Sequence, residues 1–429
     1  MSHDTCRRFF CAVVLSLVPA FARAAVPIPS PLTLRAAQRL ALARSPVLAQ
    51  ARAEIEAGRS KAEYRSQLPD PELTLGAQNL PANTLALNQS GMSMLGIGVS
   101  QKFPPPGKLG LIHRQLERDT GALRYRRLNL KAGVVRAVRR AWLALYYDDR
   151  ALEVLQENRA LYRQIEQAAL ARYRAGRGQA ADMLKARLAS DELTDQEDAL
   201  RSKRRQAQSR LAQLLDLPSY GRIIVTQSFP HLPAVPPLPT LLKDLVRHPV
   251  VVAQDDAIRA AQLNAAAARR DFYPSYAISA GWAHRAAPGV RAANLVSVGV
   301  SLSLPLFPGR RQDARLQRRV AQTQAALYQR DDLLLSLRRQ AQSRYADYDA
   351  LTRRIRLLQH TLLPEARQTV AASLSAYRAG TLSLTEVLRA QRAVLDQTLR
   401  LWRLKTDLAR VTADLDYLAT TTVENFHAR

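Results

Sequence analysis

The chain has 429 residues, with 63 Lys and Arg against 36 Asp and Glu, and a formal net charge of +27. Its two cysteines lie at positions 6 and 11, inside a segment typical of a secretory signal: Arg7-Arg8, an apolar run, and the small-x-small site Ala22-Arg23-Ala24. We expect residues 1–24 to be removed, which excludes disulfides and cysteine chemistry from the exported chain. Export also excludes nucleic acid as the partner of a basic chain. We interpret the Arg-rich groups as solvated helix faces, with part of the excess available to anionic lipid head groups or an acidic partner.

Most of the exported chain consists of two copies of one unit. Tyr173-Arg174-Ala175-Gly176 recurs 204 positions later as Tyr377-Arg378-Ala379-Gly380. Further landmarks keep nearly the same offset: Ser45-Pro46 and His248-Pro249, Leu68-Pro69 and Tyr273-Pro274, and the Pro-Gly pairs at 106–107 and 308–309. The period is well above the roughly 20–50 residues of ordinary solenoid repeats. We therefore predict two repeats, residues 25–217 and 241–420, joined by a Pro-rich linker over 218–240 and followed by a tail over 421–429.

The first repeat begins with an Ala-rich helical pattern over residues 34–65, roughly 48 Å long at 1.5 Å per residue. Apolar residues then alternate with small or polar ones within 72–103, and a period of two indicates a β-hairpin. A proline-free helical pattern follows over 109–175, roughly 100 Å long. It ends at the repeated tetrapeptide, where Gly commonly ends a helix. A return helix is predicted over 179–217.

The second repeat has the same order. It contains a helix over 241–271, a β-hairpin over 276–304, a long helix over 310–379 interrupted by Pro364, and a return helix over 383–419. In the strand at 295–304 one face is purely apolar and the other small and polar, which a water-soluble sandwich would also show. The strand length suits an outer membrane crossed at a tilt, and no second sheet is available to cover the apolar face.

The long helices exceed the size of a globular core, so we expect them to pack side by side as coiled coils. Leucines at 401, 404 and 408, spaced by three and four, support this packing. By length, we expect helix 179–217 to stack end to end on helix 241–271, and helix 34–65 on helix 383–419. Each pair would then match the roughly 100 Å of the long helix beside it.

The four predicted strands are too few to close a barrel, because bacterial outer-membrane barrels use at least about eight and an open edge leaves backbone groups unpaired in lipid. Two copies would give a filled barrel and three a water-filled one. The signal, the duplicated strand–strand–long-helix unit and its Pro-Gly pairs resemble the TolC-type outer-membrane efflux proteins. So do the two Tyr-x-x-Gly turns, which are followed by Asp182-Met183-Leu184 and Glu386-Val387-Leu388.

This resemblance implies a mainly α fold with a small β part. Three chains would supply four strands each to a twelve-stranded outer-membrane barrel, continued by an α-helical coiled-coil barrel across the periplasm. The homotrimer would be the exit duct of a tripartite pump, with a periplasmic adaptor (membrane fusion protein) and an inner-membrane transporter of the resistance-nodulation-division type. Adaptor contact maps onto the two turns, at Arg174, Ala175, Gly176, Arg378, Ala379 and Gly380.

The resemblance also places an aperture just beyond the turns, at Asp182, Glu386 and Arg389. Family members often have two acidic residues after the second turn, and Arg389 departs from that pattern. A cation-binding ring is therefore not implied. A Glu386–Arg389 pair bridging neighbouring helices and a solvated surface pair remain as alternatives.

The first hairpin resembles the branch of the family that exports heavy-metal cations. Met92 and Met94 offer soft thioethers suited to copper(I), although packing at a strand start explains them equally well. We favour metal export over export of drugs or other organic compounds. The seven His lack ligand spacing, and we find no catalytic constellation or phosphate loop. An enzyme, a resident metal and a cofactor are therefore not expected. A periplasmic coiled-coil adaptor or scaffold without a barrel is the remaining alternative, disfavoured by two hairpins that each precede a long helix.

Overall fold

The computed structural model describes residues 29–217, 223–285 and 293–420. The predicted signal segment and the C-terminal tail lie outside these residues. The first repeat comprises α1 (Leu34–Arg44), α2 (Pro46–Arg65), β1 (Glu72–Gln78), β2 (Met94–Phe103), α3 (Lys108–Arg174) and α4 (Ala180–Leu214). The second comprises α5 (Leu238–Asp244), α6 (Pro249–Arg269), β3 (Ser275–Arg285), β4 (Asn294–Ser303), α7 (Gln312–Leu357), α8 (Leu363–Arg378) and α9 (Leu384–Leu418). Short 3-10 turns follow α5 and α6, and a π-helical turn, Leu358–Leu362, joins α7 to α8.

The first helix of each repeat is broken, which corrects the continuous helices predicted over 34–65 and 241–271. The breaks fall at Ser45 and His248, each directly before a proline, where ψ is 114° and 136°. Proline lacks an N–H and its ring drives the preceding residue out of the helical region. The repeated X-Pro landmark therefore marks a helix boundary in both copies.

The four strands form one antiparallel sheet in chain order, β1-β2-β3-β4. One row of its register pairs Leu75 with Ile97, Ile97 with Trp282, and Trp282 with Val296. Directly paired residues share a face, so this row lies on one side of the sheet. Val296 is 79% exposed and Val298 is 76% exposed. The predicted apolar face therefore exists and nothing in the described chain covers it.

The helices form a bundle in which α6 and α9 both pack between α3 and α7. The start of α6 meets the end of α9, where the rings of His248 and Tyr417 lie 5.1 Å apart. The end-to-end stacking predicted between residues 34–65 and 383–419 is therefore wrong, because α9 stacks on the helix of its own repeat.

The first repeat obeys the same rule. Ala37 and Ala41 of α1 share a core cluster with Leu211 and Leu215 at the end of α4, and α2 and α4 both pack on α3. The predicted stacking of residues 179–217 on 241–271 is therefore also wrong. Helix lengths could not separate the two arrangements, because α4 and α9 each have 35 residues.

The largest core cluster lies at mid-height, where the linker crosses α3. Trp142 and Tyr146 of α3 are buried and stacked, with ring centroids 5.4 Å apart. Trp142 Nε1 donates to the carbonyl of Leu32 at 3.0 Å, and the Tyr146 hydroxyl donates to the carbonyl of Gln227 at 3.1 Å. The short strand-like segment of the linker pairs with Leu32 through a single parallel bridge at Val225. In the part of the chain that the structure describes, no helix is long and apolar enough to cross a membrane.

Candidate functional site

Two helical turns lie at the end of the bundle away from the sheet: the first turn, residues 174–179, and the second turn, residues 378–383. In the first, the N–H of Arg177 donates to the carbonyl of Arg172 at 2.9 Å and that of Gly176 to Tyr173 at 3.0 Å. The second has the same pair of bonds from Thr381 and Gly380. This is the Schellman arrangement. Gly176 and Gly380 have φ of 65° and 80°, a conformation that glycine adopts without strain.

All six residues predicted to contact an adaptor are exposed on these turns. They are Arg174, Ala175, Gly176, Arg378, Ala379 and Gly380. A Cβ added at Gly176 or Gly380 would meet no atom within 4 Å. The turns therefore present a fixed backbone with open space around it.

The two turns differ at one aligned position. A Cβ at Gly178 would lie 3.0 Å from the backbone nitrogen of Tyr173, so a side chain would fit there only if the backbone moved slightly. The aligned residue of the second turn is Leu382, which packs against the cluster that contains Tyr377 and Leu384. The second turn is consequently tied into the bundle by an apolar side chain that the first turn lacks.

Arg172 connects the first turn to the second. Its Nη1 donates to the carbonyl of Tyr377 at 2.8 Å, and its guanidinium carbon lies 4.5 Å from the centroid of the Tyr377 ring. Sequence reasoning missed this residue. The available signal was its mismatch in the repeat, since Ala376 occupies the aligned position.

The predicted aperture residues lie in the first turns of the two return helices, but the structure does not bring all three together. Glu386 and Arg389 form an ion pair along one face of α9, in which Arg389 is exposed and Glu386 is half-buried. Asp182 lies in the first turn of α4 and makes no ion pair with any described residue. Its charge is favourable there because a helix N-terminus carries partial positive charge.

The return helices α4 and α9 are linked directly by two polar contacts that the sequence did not predict. Lys185 Nζ donates to Thr385 Oγ1 at 3.0 Å. Arg392 Nη1 lies 3.1 Å from Glu192 Oε2. Both pairs are 200 positions apart in the chain, so only the tertiary structure brings them together. They hold the two return helices to one another close to the turns.

A buried polar pair joins α9 to α3 at the same level. Gln391 Nε2 donates to Asn158 Oδ1 at 3.0 Å, and both residues are buried. The neighbouring Tyr162 packs in a cluster with Leu193 and Leu395, and burial raises its pKa to about 12. The tyrosine is therefore neutral at any physiological pH.

The described residues contain no group of three or more His, Cys, Asp or Glu placed to hold a metal ion. Met92 is exposed in the loop of the first hairpin, and Met94 is the first residue of β2, paired with Gln78 and Arg285. One methionine therefore lies in the loop and the other in the sheet.

A four-stranded sheet with an uncovered apolar face, continued by paired helices of up to 67 residues, defines a subunit of an outer-membrane channel. Residues 38–216 and 242–419 match the model of the Outer membrane efflux protein family, and the chain belongs to this family. It is an outer-membrane efflux duct of the tripartite pump type that extends into the periplasm. The predicted family, helical fold and location are thereby confirmed.

One known relative is similar to the chain in sequence, and two solved structures are similar to it in fold. The chain is 25% identical over 402 residues to the cobalt-zinc-cadmium resistance protein CzcC of Cupriavidus metallidurans, covering 90% of this chain and 88% of CzcC. Its fold is similar to that of CusC, with a TM-score of 0.76, 17% identity and coverage of 91% and 92% of the two chains. It is also similar to VceC of Vibrio cholerae, with a TM-score of 0.74, 17% identity and coverage of 90% and 96%.

Proposed function

We propose that three copies of the chain form the duct, each supplying its four strands to a twelve-stranded barrel. The observation that carries this proposal is the single sheet, whose outer strands β1 and β4 each have one neighbour in the described chain. A strand edge in lipid leaves backbone groups unpaired. Twelve strands leave a water-filled interior, whereas eight are filled by side chains.

The helices support the same assembly. In the half of the bundle next to the sheet, α3 has a neighbour on each side, α2 and α6. There α7 has only α6 beside it. Val320 and Leu327 on the free side of α7 are 48% and 36% exposed. In the first repeat, the side of α3 that corresponds to these two residues is covered by α6. The α2 helix of the next copy would cover them in a closed ring.

The test is the mass of the purified protein in detergent. A complex three times the mass of the chain, with a mobility on gels that changes on heating, is the expected result. A monomer that stays in solution without detergent would overturn the proposal.

We propose that a periplasmic adaptor docks on the two turns, at the six exposed residues named above. Support comes from their fixed backbone, since Schellman bonds hold both turns in one conformation. Replacing both Gly176 and Gly380 by Leu adds bulk in open space, and the strain of a left-handed residue is about 1–2 kcal/mol at each site. We expect export to be lost while assembly stays intact.

Asn is the matched control at positions 176 and 380, because it adopts the left-handed conformation more readily than Leu and is smaller. We expect the Asn variant to keep most export. Normal export by the Leu variant would remove the docking assignment.

We propose that Asp182, Glu386 and Arg389 surround the periplasmic aperture. They lie one turn beyond the two helical turns, next to the contacts that hold α4 to α9. The charges at this level are mixed, because Arg389 neutralises Glu386. The aperture therefore acts as a closure between subunits rather than as a ring that concentrates cations.

We propose that the duct exports heavy-metal cations, delivered by an inner-membrane transporter of the resistance-nodulation-division type. Support comes from CzcC, whose name is that of a cobalt-zinc-cadmium resistance protein. The chain acts as a passive channel and not as an enzyme, since its family and fold are those of channels. Selectivity then belongs to the transporter.

Deletion of the gene tests the cargo. We expect the growth-inhibitory concentrations of cobalt, zinc and cadmium to fall severalfold, and those of dyes and antibiotics to stay unchanged. Complementation with the wild-type chain should restore metal tolerance. The opposite pattern would establish the duct as one for organic compounds.

A further inference from the structure

The lipid-facing stripe of β4 continues past the end of the strand. Leu302 is 62% exposed, Leu304 57% and Leu306 70%. Phe307 follows at 91% exposed, with nothing in the described chain packed over it. If the apolar surface ended with the strand, the exposed aromatic ring in the loop that follows would be unexplained. An exposed apolar ring is stabilised when it leaves water for the boundary of the lipid acyl chains.

Three arginines follow directly, at the start of α7. Arg310, Arg311 and Arg318 are exposed and make no ion pair with a described residue. Arg315, one turn from Arg311, differs because its Nη1 lies 2.7 Å from Asp271 Oδ2. Six residues into α7, Arg318 lies roughly 9 Å along the axis from the helix start.

These arginines lie away from the side of α7 that the next copy would cover. At 3.6 residues per turn, Val320 lies roughly 200° around the helix from Arg318, on the opposite face. Arg311 and Arg318, seven residues apart, share a face. The next copy would therefore not cover these arginines, which are exposed in the single chain.

The first repeat has no such cluster. The residues aligned with Arg310, Arg311 and Arg318 through the two Pro-Gly pairs are Lys108, Leu109 and Leu116. Leu116 is buried, and Lys108 is paired with Asp271. The duplication thus provides a built-in comparison in which the same position is apolar or neutralised.

We propose that Leu306, Phe307, Arg310, Arg311 and Arg318 form a binding site for anionic phospholipid, here called the lipid collar. All four strands carry their helices at the same end of the sheet, which is the periplasmic side, so the collar lies at the inner leaflet of the outer membrane. Phe307 enters the acyl region and the guanidinium groups bind the phosphodiester, for which their fork geometry is suited. The inference rests on the outer-membrane location and goes beyond the export function.

The full-length protein, purified in detergent, is titrated with phosphatidylglycerol or phosphatidylcholine, and bound lipid is counted by native mass spectrometry. We expect a preference for phosphatidylglycerol. The triple variant R310Q/R311Q/R318Q should bind it at least about tenfold more weakly, since each basic residue near an anionic surface contributes about fivefold. Phe307→Ser should weaken both lipids equally.

The triple variant R353Q/R354Q/R356Q is the matched control, because these arginines are also exposed on α7 but lie roughly 60 Å further from the sheet. It should keep the preference, as should R310K/R311K/R318K, which retains the charge. Equal phosphatidylglycerol binding by the wild type and R310Q/R311Q/R318Q would overturn the site. Detergent-solution mass and metal tolerance, measured on the same variants, report separately on the assembly and on the proposed export function.

Discussion

Arg172 shows how one side chain makes two similar turns unequal. It binds the backbone and ring of Tyr377, and Tyr377 is buried. The aligned Tyr173 is 46% exposed, and Ala376 stands in place of the arginine in the second repeat. The two turns therefore share a backbone conformation but differ in how firmly each is held.

Arg172→Ala should loosen the second turn. The variant loses a charge-assisted hydrogen bond and a cation–π contact, together worth about 1–3 kcal/mol at a partly exposed site. We expect the backbone amides over 379–383 to exchange hydrogen at least about fivefold faster. Arg174→Ala removes an exposed neighbour on the same turn and should leave exchange unchanged. Similar rates in the two variants would contradict a holding role for Arg172.

His248 connects the start of α6 to the end of α9. Its Nε2 donates to the carbonyl of Tyr417 at 3.2 Å, and its Nδ1 accepts from the N–H of Val250 at 3.4 Å. Both bonds require the neutral ring with its proton on Nε2. Burial, assisted by the charge of Arg136, lowers the pKa of His248 to about 4.

The stability of the folded chain should therefore decrease as the pH is lowered. The unfolded chain binds the His248 proton below about pH 6.5 and the folded chain only near pH 4, so the stability held by the neutral ring is complete above 6.5 and is lost between 6.5 and 4. The full loss is about 3 kcal/mol. His248→Asn keeps a helix cap but cannot titrate. Thermal midpoints measured from pH 7 to 4 should fall less steeply in this variant; equal slopes would contradict the assignment.

The π-helical turn Leu358–Leu362 separates α7 from α8, whereas α3 is continuous through the aligned region. Pro364 accounts for the difference. It has no N–H to donate to the carbonyl of His360, and its ring would clash with that carbonyl in a regular helix. The wider turn relieves the clash. Only the second repeat therefore has a built-in place to bend.

Pro364→Ala should convert this region to a continuous helix. Alanine restores the missing donor, and we expect the amides over 358–363 to exchange at least about tenfold more slowly. Glu365→Ala, at the adjacent exposed position, is the control and should not change the exchange. A Pro364→Ala variant with unchanged exchange would show that the π turn has another cause.

Local pattern predicted the elements well where period and punctuation agree. The alternation of β4 and the Gly at both turns appear in the structure as interpreted, because each depends on a few neighbouring residues. The breaks before Pro46 and Pro249 carry a local signal, the X-Pro pair, which the long Ala-rich runs around them outweigh in a prediction from helical pattern. The stacking of α9 on α6 could not be predicted from local pattern, because it depends on the path of the linker across the bundle. Lys185 and Thr385 could not be paired from a chain separation of 200 residues.

At the scale of the whole molecule, we predict that the contacts between α4 and α9 restrain the opening of the duct at its periplasmic end. Lys185 with Thr385 and Glu192 with Arg392 hold the two return helices of one chain together. These exposed contacts are each worth about 0–1 kcal/mol, but the proposed trimer would repeat them three times around one axis. A small change per contact is thus multiplied.

The double variant K185A/E192Q should open the duct. We expect its single-channel conductance in planar bilayers to rise severalfold, because both links between the return helices are lost. Glu56→Gln removes an exposed ion pair with Arg59 on α2, far from the turns, and serves as the control. Unchanged conductance in the double variant would show that these contacts do not restrain the end of the duct.

The stacking of α1 on α4 and of α6 on α9 has a consequence for ancestry. Each half of the gene encodes a complete structural unit, which has two strands, one long helical column and a second column of stacked helices beside it. If the duct is the proposed trimer, six copies of a half-length ancestor could have built the same tube. After fusion, the two halves could differ from each other. Differences of this kind are Pro364, Gly178 and the basic start of α7, each of which occurs in one half only; in six identical copies every unit would have carried them.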